Sequence, residues 1–180
     1  MLKKILIGVA VLLVGAAGYV YYLNNKSRKL SPPSKTELAS PDLSIAIIYS
    51  RPSVRGRVIF GTEDTEALQP YGKYWRLGAN EATEISFSRD VTFNGVAVKK
   101  GTYRAYAIPG PMEFEIILNS ELGKWGAFEP DHDLDVYKTK VPVNKTQNFV
   151  EQYTIRIEQV EGGANIIFEW ADVQFIIPVK

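Results

Sequence analysis

The sequence predicts an all-β domain, a two-sheet antiparallel β-sandwich or flattened barrel, preceded by one N-terminal transmembrane helix. Three observations lead there. Short runs of alternating apolar and polar residues recur from residue 43 to residue 179, turn dipeptides separate them, and one long uncharged apolar run lies near the N-terminus. Helical signal outside that run is confined to Glu63–Leu68.

The apolar run comes first. Ile5 to Leu23, "ILIGVAVLLVGAAGYVYYL", holds 19 residues without a charge. At about 1.5 Å per residue, a helix of that length just crosses a hydrocarbon core of about 30 Å. Lys3 and Lys4 precede it, and Tyr19, Tyr21 and Tyr22 fall where an aromatic belt meets the headgroups. Residues 1–23 therefore read as a membrane anchor. A cleaved signal peptide is the alternative, because Gly15-Ala16-Ala17-Gly18 follow an apolar core with small residues. Continued apolarity to Leu23 favours the uncleaved anchor. Lys26, Arg28 and Lys29 nearly balance the charge across the span, and a short tail ahead of a first helix usually stays in the cytoplasm. The domain is accordingly expected outside.

Residues 24–41, "NNKSRKLSPPSKTELASP", are polar, contain Pro32-Pro33 and lack hydrophobic periodicity, so they read as a linker. The β-domain is expected over 42–180. Leu43, Ile45, Ile47 and Tyr49 share one face of "LSIAIIY", and Ile85 and Phe87 share one face of "TEISFS". "VTFNGVAV" carries Asn94-Gly95, the strongest short hairpin signal, and "KKGTYRAYAI" a further turn at Lys100-Gly101. Phe114, Ile116 and Leu118 alternate in "EFEIIL". Phe149, Tyr153, Ile155 and Ile157 do so with one slip, and Val173, Phe175 and Ile177 follow after Gly162-Gly163.

Charge and composition remove several function classes. The chain is +1 overall, but residues 1–40 hold six of the 21 Lys/Arg and only one acid, Glu37. That leaves 15 basic against 19 acidic residues in the domain, about −4. A nucleic-acid binder shows the opposite balance. Without cysteine there is no disulfide, lipidated cysteine, thiol nucleophile or zinc–thiolate site. No cofactor is implied.

Against that acidic background, "YSRPSVRGRVIFG" packs Arg51, Arg55 and Arg57 into seven residues directly after a predicted strand. Pro52 cannot continue a central strand, so these arginines leave the sheet at its end, where scaffold-held loops carry binding groups. A second stretch, "PYGKYWRLGANEAT", gathers Tyr74, Trp75, Arg76, Asn80 and Glu81 around Gly72 and Gly78. Guanidinium is always charged and presents a planar fork of donors, which suits an anion. Two readings stand open. Arg51, Arg57 and Arg76 either pair internally with Glu81, Glu84 or Asp64 and staple loops to the sheet, or they face an external anion. In the second case Asn80 and Glu81 orient polar groups while Tyr74 or Trp75 stacks on the ligand.

These stretches, with "KKGTYRAYAIPG" and "WGAF", resemble the bacterial family called domain of unknown function 2911. The resemblance runs from about Leu30 to Val179. It implies an envelope-associated protein with an N-terminal export or anchoring segment, and it brings no activity with it. Tyr49, Arg51, Pro52, Gly56, Arg57 and Gly61 stand intact in the first motif; Trp75, Arg76, Gly78, Ala79, Asn80 and Thr83 do so in the second. The chain departs from the pattern by extra residues, about "TEDTEA", between Gly61 and Pro70, which lengthen a rim loop.

Other candidates are weaker. His132, the single histidine, lies in "EPDHDLD" beside Asp131, Asp133 and Asp135. A calcium loop fails there, because Val136 replaces the required glycine and Pro142 the bidentate glutamate, so no metal site is expected. A Ser–His–Asp hydrolase needs Ser50 or Ser53 to meet His132 across the fold. Glu81 as a glycosidase-type acid or base needs a second carboxylate nearby. Asn144-Lys145-Thr146 matches a glycosylation sequon by chance. The favoured expectation is a single-pass protein of the bacterial inner membrane, or an exported one if the segment is cleaved. Its extracytoplasmic β-domain binds a small anionic or polar ligand, a saccharide or carboxylate, through Arg51, Arg57, Tyr74, Trp75, Arg76, Asn80 and Glu81. A structural interaction module with internally paired arginines is the first alternative, and a carboxylate-dependent hydrolase the second.

Overall fold

The computed structural model describes residues 2–180. A first helix, α1 (Leu2–Leu30), runs unbroken for 29 residues and buries none of them. Mean hydropathy reaches 2.1 over its most apolar window, so by length and composition it can cross a membrane, as an anchor or a signal sequence does. It continues past the apolar run, because nothing between Asn24 and Leu30 breaks a helix. Ser31-Pro32-Pro33 does.

The stretch read as a linker is therefore mostly ordered. Its second half is β1 (Pro33–Ala39), which pairs antiparallel with β2 (Ser44–Ser50) in the register Pro33↔Ser50 to Ala39↔Ser44. Pro33 is tolerated because it opens an edge strand, whose outer N–H groups have no partner to lose. Ser40 closes the turn by donating to the Leu43 carbonyl at 2.8 Å.

The first sheet has six strands in the order β1-β2-β5-β8-β9-β10. Here β5 is Thr83–Phe87, β8 Gly101–Ile108, β9 Glu113–Asn119 and β10 Asp135–Pro142. The second has four, β11-β12-β6-β7, from β6 (Val91–Phe93), β7 (Val96–Val98), β11 (Asn144–Val160) and β12 (Gly163–Val179). Two short strands, β3 (Phe60–Gly61) and β4 (Gln69–Pro70), form a small parallel pair. A single 3₁₀ turn at Glu63–Thr65 joins them, which accounts for the helical signal seen there. The result is sandwich-like and all-β, without a closed barrel.

Alternation sets the core. Ile45, Ile47, Ile85, Phe87, Phe114 and Ile116 from the first sheet meet Tyr153, Ile155, Ile166, Phe168, Phe175 and Ile177 from the second, all buried. Burying a side chain of this size is worth roughly 1.5–3 kcal/mol, so the two inner faces dominate the stabilisation. Asn94 and Gly95 take φ of 48° and 82°, as a two-residue hairpin turn demands, and join β6 to β7. The slip in β11 is a pair of register shifts between Lys145 and Thr154. Lys100-Gly101 makes no hairpin; the chain crosses there from the second sheet to the first.

Candidate functional site: an arginine-lined cavity at the end of the helix

Three chain segments meet at one end of the sandwich. The first leaves β2 at Arg51, whose backbone N–H donates to the Pro32 carbonyl at 2.9 Å, after which Pro52 ends the strand. Arg55 and Gly56 both take left-handed backbone, φ 51° and 69°, and turn the loop back on itself. The second, residues 71–82, is held by Thr83 Oγ1 donating to the Leu77 carbonyl at 2.7 Å. Gly78 lies so close to β2 that a Cβ there would sit 2.9 Å from the Ser50 carbonyl oxygen. The third runs through "WGAF". A Cβ on Gly126 would stand 2.8 Å from Arg76 Cδ and 3.0 Å from the Ala82 nitrogen, so only glycine lets this loop pass beneath the Arg76 side chain.

Between these segments lies a cavity of about 400 Å³, and Arg55, Arg57 and Arg76 all line it. Asn80, Trp125 and Trp170 contribute to the wall, and Ser27, Leu30 and Ser31 from the end of α1 close one side. No aspartate or glutamate among the described residues lines it. Among the described residues, none of Arg51, Arg55, Arg57 and Arg76 forms an ion pair. Arg57 donates to the Val54 carbonyl at 3.0 Å and the Ser53 carbonyl at 2.6 Å, Arg55 to the Leu30 carbonyl at 2.7 Å, and Arg76 to the Asn80 carbonyl at 3.2 Å. Burial holds the Arg76 guanidinium below its ordinary pKa; Tyr74 opposes that, and the charge of Arg104 adds to it.

The anticipated internal partners do not pair with these arginines. Glu81 pairs with Arg28 of α1, Glu84 accepts from the Gly123 backbone N–H at 2.8 Å, and Asp64 forms no ion pair. The staple reading thus describes Arg51 alone, and with neutral acceptors. Arg51 lies flat on β11, donating to the Tyr153 carbonyl at 3.1 Å and Thr154 Oγ1 at 2.8 Å, and does not line the cavity.

Other expected site residues separate. Asn80 is buried at the cavity wall, donating to the Ser31 carbonyl at 3.0 Å and accepting from the Ser27 hydroxyl. Glu81 is not part of the lining. Trp75 is a correction to the stacking role: it is 2% exposed, ladder-bonded to Ala107 and packed against Phe60, Phe114, Tyr153 and Trp170. Its backbone joins the first sheet, so its ring points into the core and cannot stack on a ligand. Tyr74 also turns away from the cavity lining. Its hydroxyl donates to the Gly126 carbonyl at 3.0 Å and accepts from Arg104 at 2.7 Å.

That contact opens a second polar cluster, on the outer face of β8 and β9. Arg104, 1% exposed, pairs with Glu121 at 3.1 Å and donates to the Phe128 carbonyl. Tyr106 Oη lies 2.7 Å from Asp135 Oδ2 and 3.0 Å from His132 Nδ1, while Asn119 donates to Asp135 at 2.8 Å. Burial first, then the Asp135 carboxylate, pushes the Tyr106 hydroxyl pKa far above the phenol range. His132 has Tyr106, Asp135 and Glu129 as neighbours and no serine, so no Ser–His–Asp triad assembles. Among the described residues, no group of three or more His, Asp or Glu side chains is arranged for a metal ion.

Sequence reasoning missed Arg55 as a cavity residue, although it stands in the first motif; alternation gave no means to separate it from Arg51. Trp125 was visible only within "WGAF", and Trp170 only as part of a strand. Nothing in the sequence signalled that the end of α1 would complete the wall.

Comparison with curated proteins and with solved structures returns no match. A family model described as a protein of unknown function, DUF2911, matches residues 31–179, which takes in every strand and all of the cavity wall except the turn of α1 before Ser31. The chain belongs to the DUF2911 family.

Proposed function

We propose that this protein is a single-pass protein of the bacterial inner membrane whose extracytoplasmic β-domain binds a small anionic or polar ligand at the Arg55–Arg57–Arg76 cavity. One observation carries the reading: three guanidinium groups line one cavity of about 400 Å³ to which no carboxylate contributes. Carbonyl oxygens satisfy some of their N–H donors but supply no negative charge; Arg55 and Arg57 are exposed, and Arg76, half-buried, is the desolvated cation whose missing counter-ion is costly. A bound carboxylate, sugar acid or phosphate removes that cost. Each charge-assisted hydrogen bond then contributes about 1.5–3 kcal/mol net. Asn80 shapes the wall, Trp125 supplies apolar surface, the almost fully buried Trp170 backs it, and Arg51 is a staple.

The structural-module alternative draws support from Arg51, which holds the end of β2 to β11 and does not line the cavity. A carboxylate-dependent hydrolase draws none, because no acid reaches the cavity.

The test is a thermal-shift screen of the full chain in detergent, since the end of α1 lines the cavity. Sugars, sugar acids, phosphates and peptide carboxylates are compared for wild type and Arg76→Gln. A ligand at a hundred times its dissociation constant adds about 2.7 kcal/mol, several degrees in this size range. A shift present in wild type and lost in Arg76→Gln supports the site. Absence of any shift across the anions leaves only the structural-module reading.

A further inference from the structure

We infer that the anion bound in this cavity is the phosphate of an anionic membrane lipid headgroup, presented from the bilayer that α1 crosses. This rests on the anion-site reading above and deepens it.

The first argument is height. α1 is continuous to Leu30, so positions along it convert to distance at about 1.5 Å per residue. Ser27 stands about 6 Å beyond Leu23, the last residue of the uncharged run, and Leu30 about 10 Å beyond it. The headgroup layer occupies roughly 5–7 Å on each side of the hydrocarbon core. Both residues line the cavity, so its wall begins level with the headgroups and rises just above them. Ordinary helix tilt lowers it further.

The second argument is composition. Leu30 and Leu68, both more than a third exposed, line the same cavity as the three arginines. A bare inorganic anion has no use for that apolar edge, whereas the glycerol backbone of a lipid carries apolar carbon beside its phosphate. The third is the charge at the end of α1. Lys26 and Lys29 are exposed on the last turns of α1 and form no ion pair among the described residues. With Arg55, whose guanidinium donates to the Leu30 carbonyl at 2.7 Å, they put positive charge at the end of α1, within a Debye length of anionic headgroups. A soluble phosphate shares the recognised chemistry, so the experiment must separate the two sources.

The full chain is reconstituted in nanodiscs of phosphatidylcholine alone, of phosphatidylcholine with phosphatidylglycerol, and of phosphatidylcholine with saturating inorganic phosphate added, at one ionic strength. Melting of the β-domain is followed by tryptophan fluorescence. The expected result is a rise of several degrees with phosphatidylglycerol that exceeds the rise with soluble phosphate. It disappears in Arg55→Gln/Arg57→Gln and persists in Lys26→Gln/Lys29→Gln. Melting of both variants in phosphatidylcholine alone verifies that each is folded. An equal or larger rise with soluble phosphate overturns the lipid assignment and leaves the anion site standing. A lipid-dependent rise that survives the arginine variant but vanishes in the lysine variant reduces the effect to surface attraction, and also overturns it. No rise with either phosphate source overturns the lipid assignment, and a carboxylate or sugar-acid shift in the earlier screen then decides whether the anion site stands.

Discussion

The Asn80 side-chain amide donates to the Ser31 carbonyl across 3.0 Å, fastening the loop that carries Arg76 to the residue just past the end of α1. The same side chain accepts from the Ser27 hydroxyl one turn earlier. The cavity is thus framed by the end of α1 and a domain loop held to each other, and Arg28 with Glu81 adds an ion pair beside them.

Asn80 sits at φ 58°, a conformation asparagine tolerates better than most residues. Asn80→Ala is expected to cost about 2 kcal/mol, from the lost hydrogen bond and the left-handed backbone together. Asn80→Gly should recover about 1 kcal/mol of that by relieving the backbone alone. Urea denaturation of the full chain in detergent measures both. Equal losses for alanine and glycine would place the whole effect in the hydrogen bonds.

Glu121→Gln tests the cluster on the outer face of the first sheet. Arg104 is 1% exposed and Glu121 is its carboxylate partner. Removing that charge leaves a buried guanidinium uncompensated, at a cost of about 3 kcal/mol in the unfolding free energy. Anion-induced thermal shifts should survive, because neither residue lines the cavity.

Tyr153 should make the protein sensitive to alkali. Its hydroxyl is fully buried without a partner, and burial, followed by the nearby Tyr49, raises its pKa well above the phenol range. Below about pH 10 folded and unfolded chains both keep this proton, and its contribution to stability is complete. Above that the unfolded chain releases it first, so stability falls by up to about 1.4 kcal/mol per pH unit until the folded pKa is passed. Tyr153→Phe should match or exceed wild-type stability at neutral pH, since it deletes an unsatisfied buried hydroxyl. It should also lose stability less steeply above about pH 10. Parallel slopes for the two proteins in a pH series of denaturation curves would contradict this.

Gly126→Ala links fold to site. The new methyl would stand 2.8 Å from Arg76 Cδ, which can move, and 3.0 Å from the Ala82 nitrogen, which cannot move easily. Overpacking of this kind costs about 1–3 kcal/mol. The same displacement of Arg76 should weaken any anion-dependent thermal shift, and the two effects are read from one melting series with and without phosphate.

Much of the fold was legible because burial has period two in a strand. Ile45, Ile47 and Tyr49, Phe114 and Ile116, and Phe175 and Ile177 all face the core as their spacing demands. β1 was not legible. An edge strand with one neighbour half-buries alternate positions, so "PSKTELA" remains polar and resembles a tether. The two arginine stretches pointed to the right end of the sandwich, but sequence cannot say which way a side chain turns on leaving a strand. Arg51 folds onto β11 while Arg55, four residues later, reaches the cavity. Trp75 carried the opposite error: an aromatic in a glycine-rich stretch resembles a loop, yet its backbone pairs with Ala107 and the ring is core. The Arg104–Tyr74 and Tyr106–Asp135 contacts join residues about thirty apart, and local pattern carries no trace of them.

The convergence of Arg55, Arg57 and Arg76 on one anion is the central claim, and their side-chain N–H groups report on it directly. The full chain, labelled with ¹⁵N-arginine in detergent micelles, is titrated with phosphate, with its eight arginines assigned through single Arg→Gln variants. Saturable shifts of the Arg55, Arg57 and Arg76 Nε–H signals at one common midpoint, with Arg51, Arg104 and Arg156 unmoved, are the predicted result. Signals that do not saturate, or that drift together for all eight, would contradict a shared site.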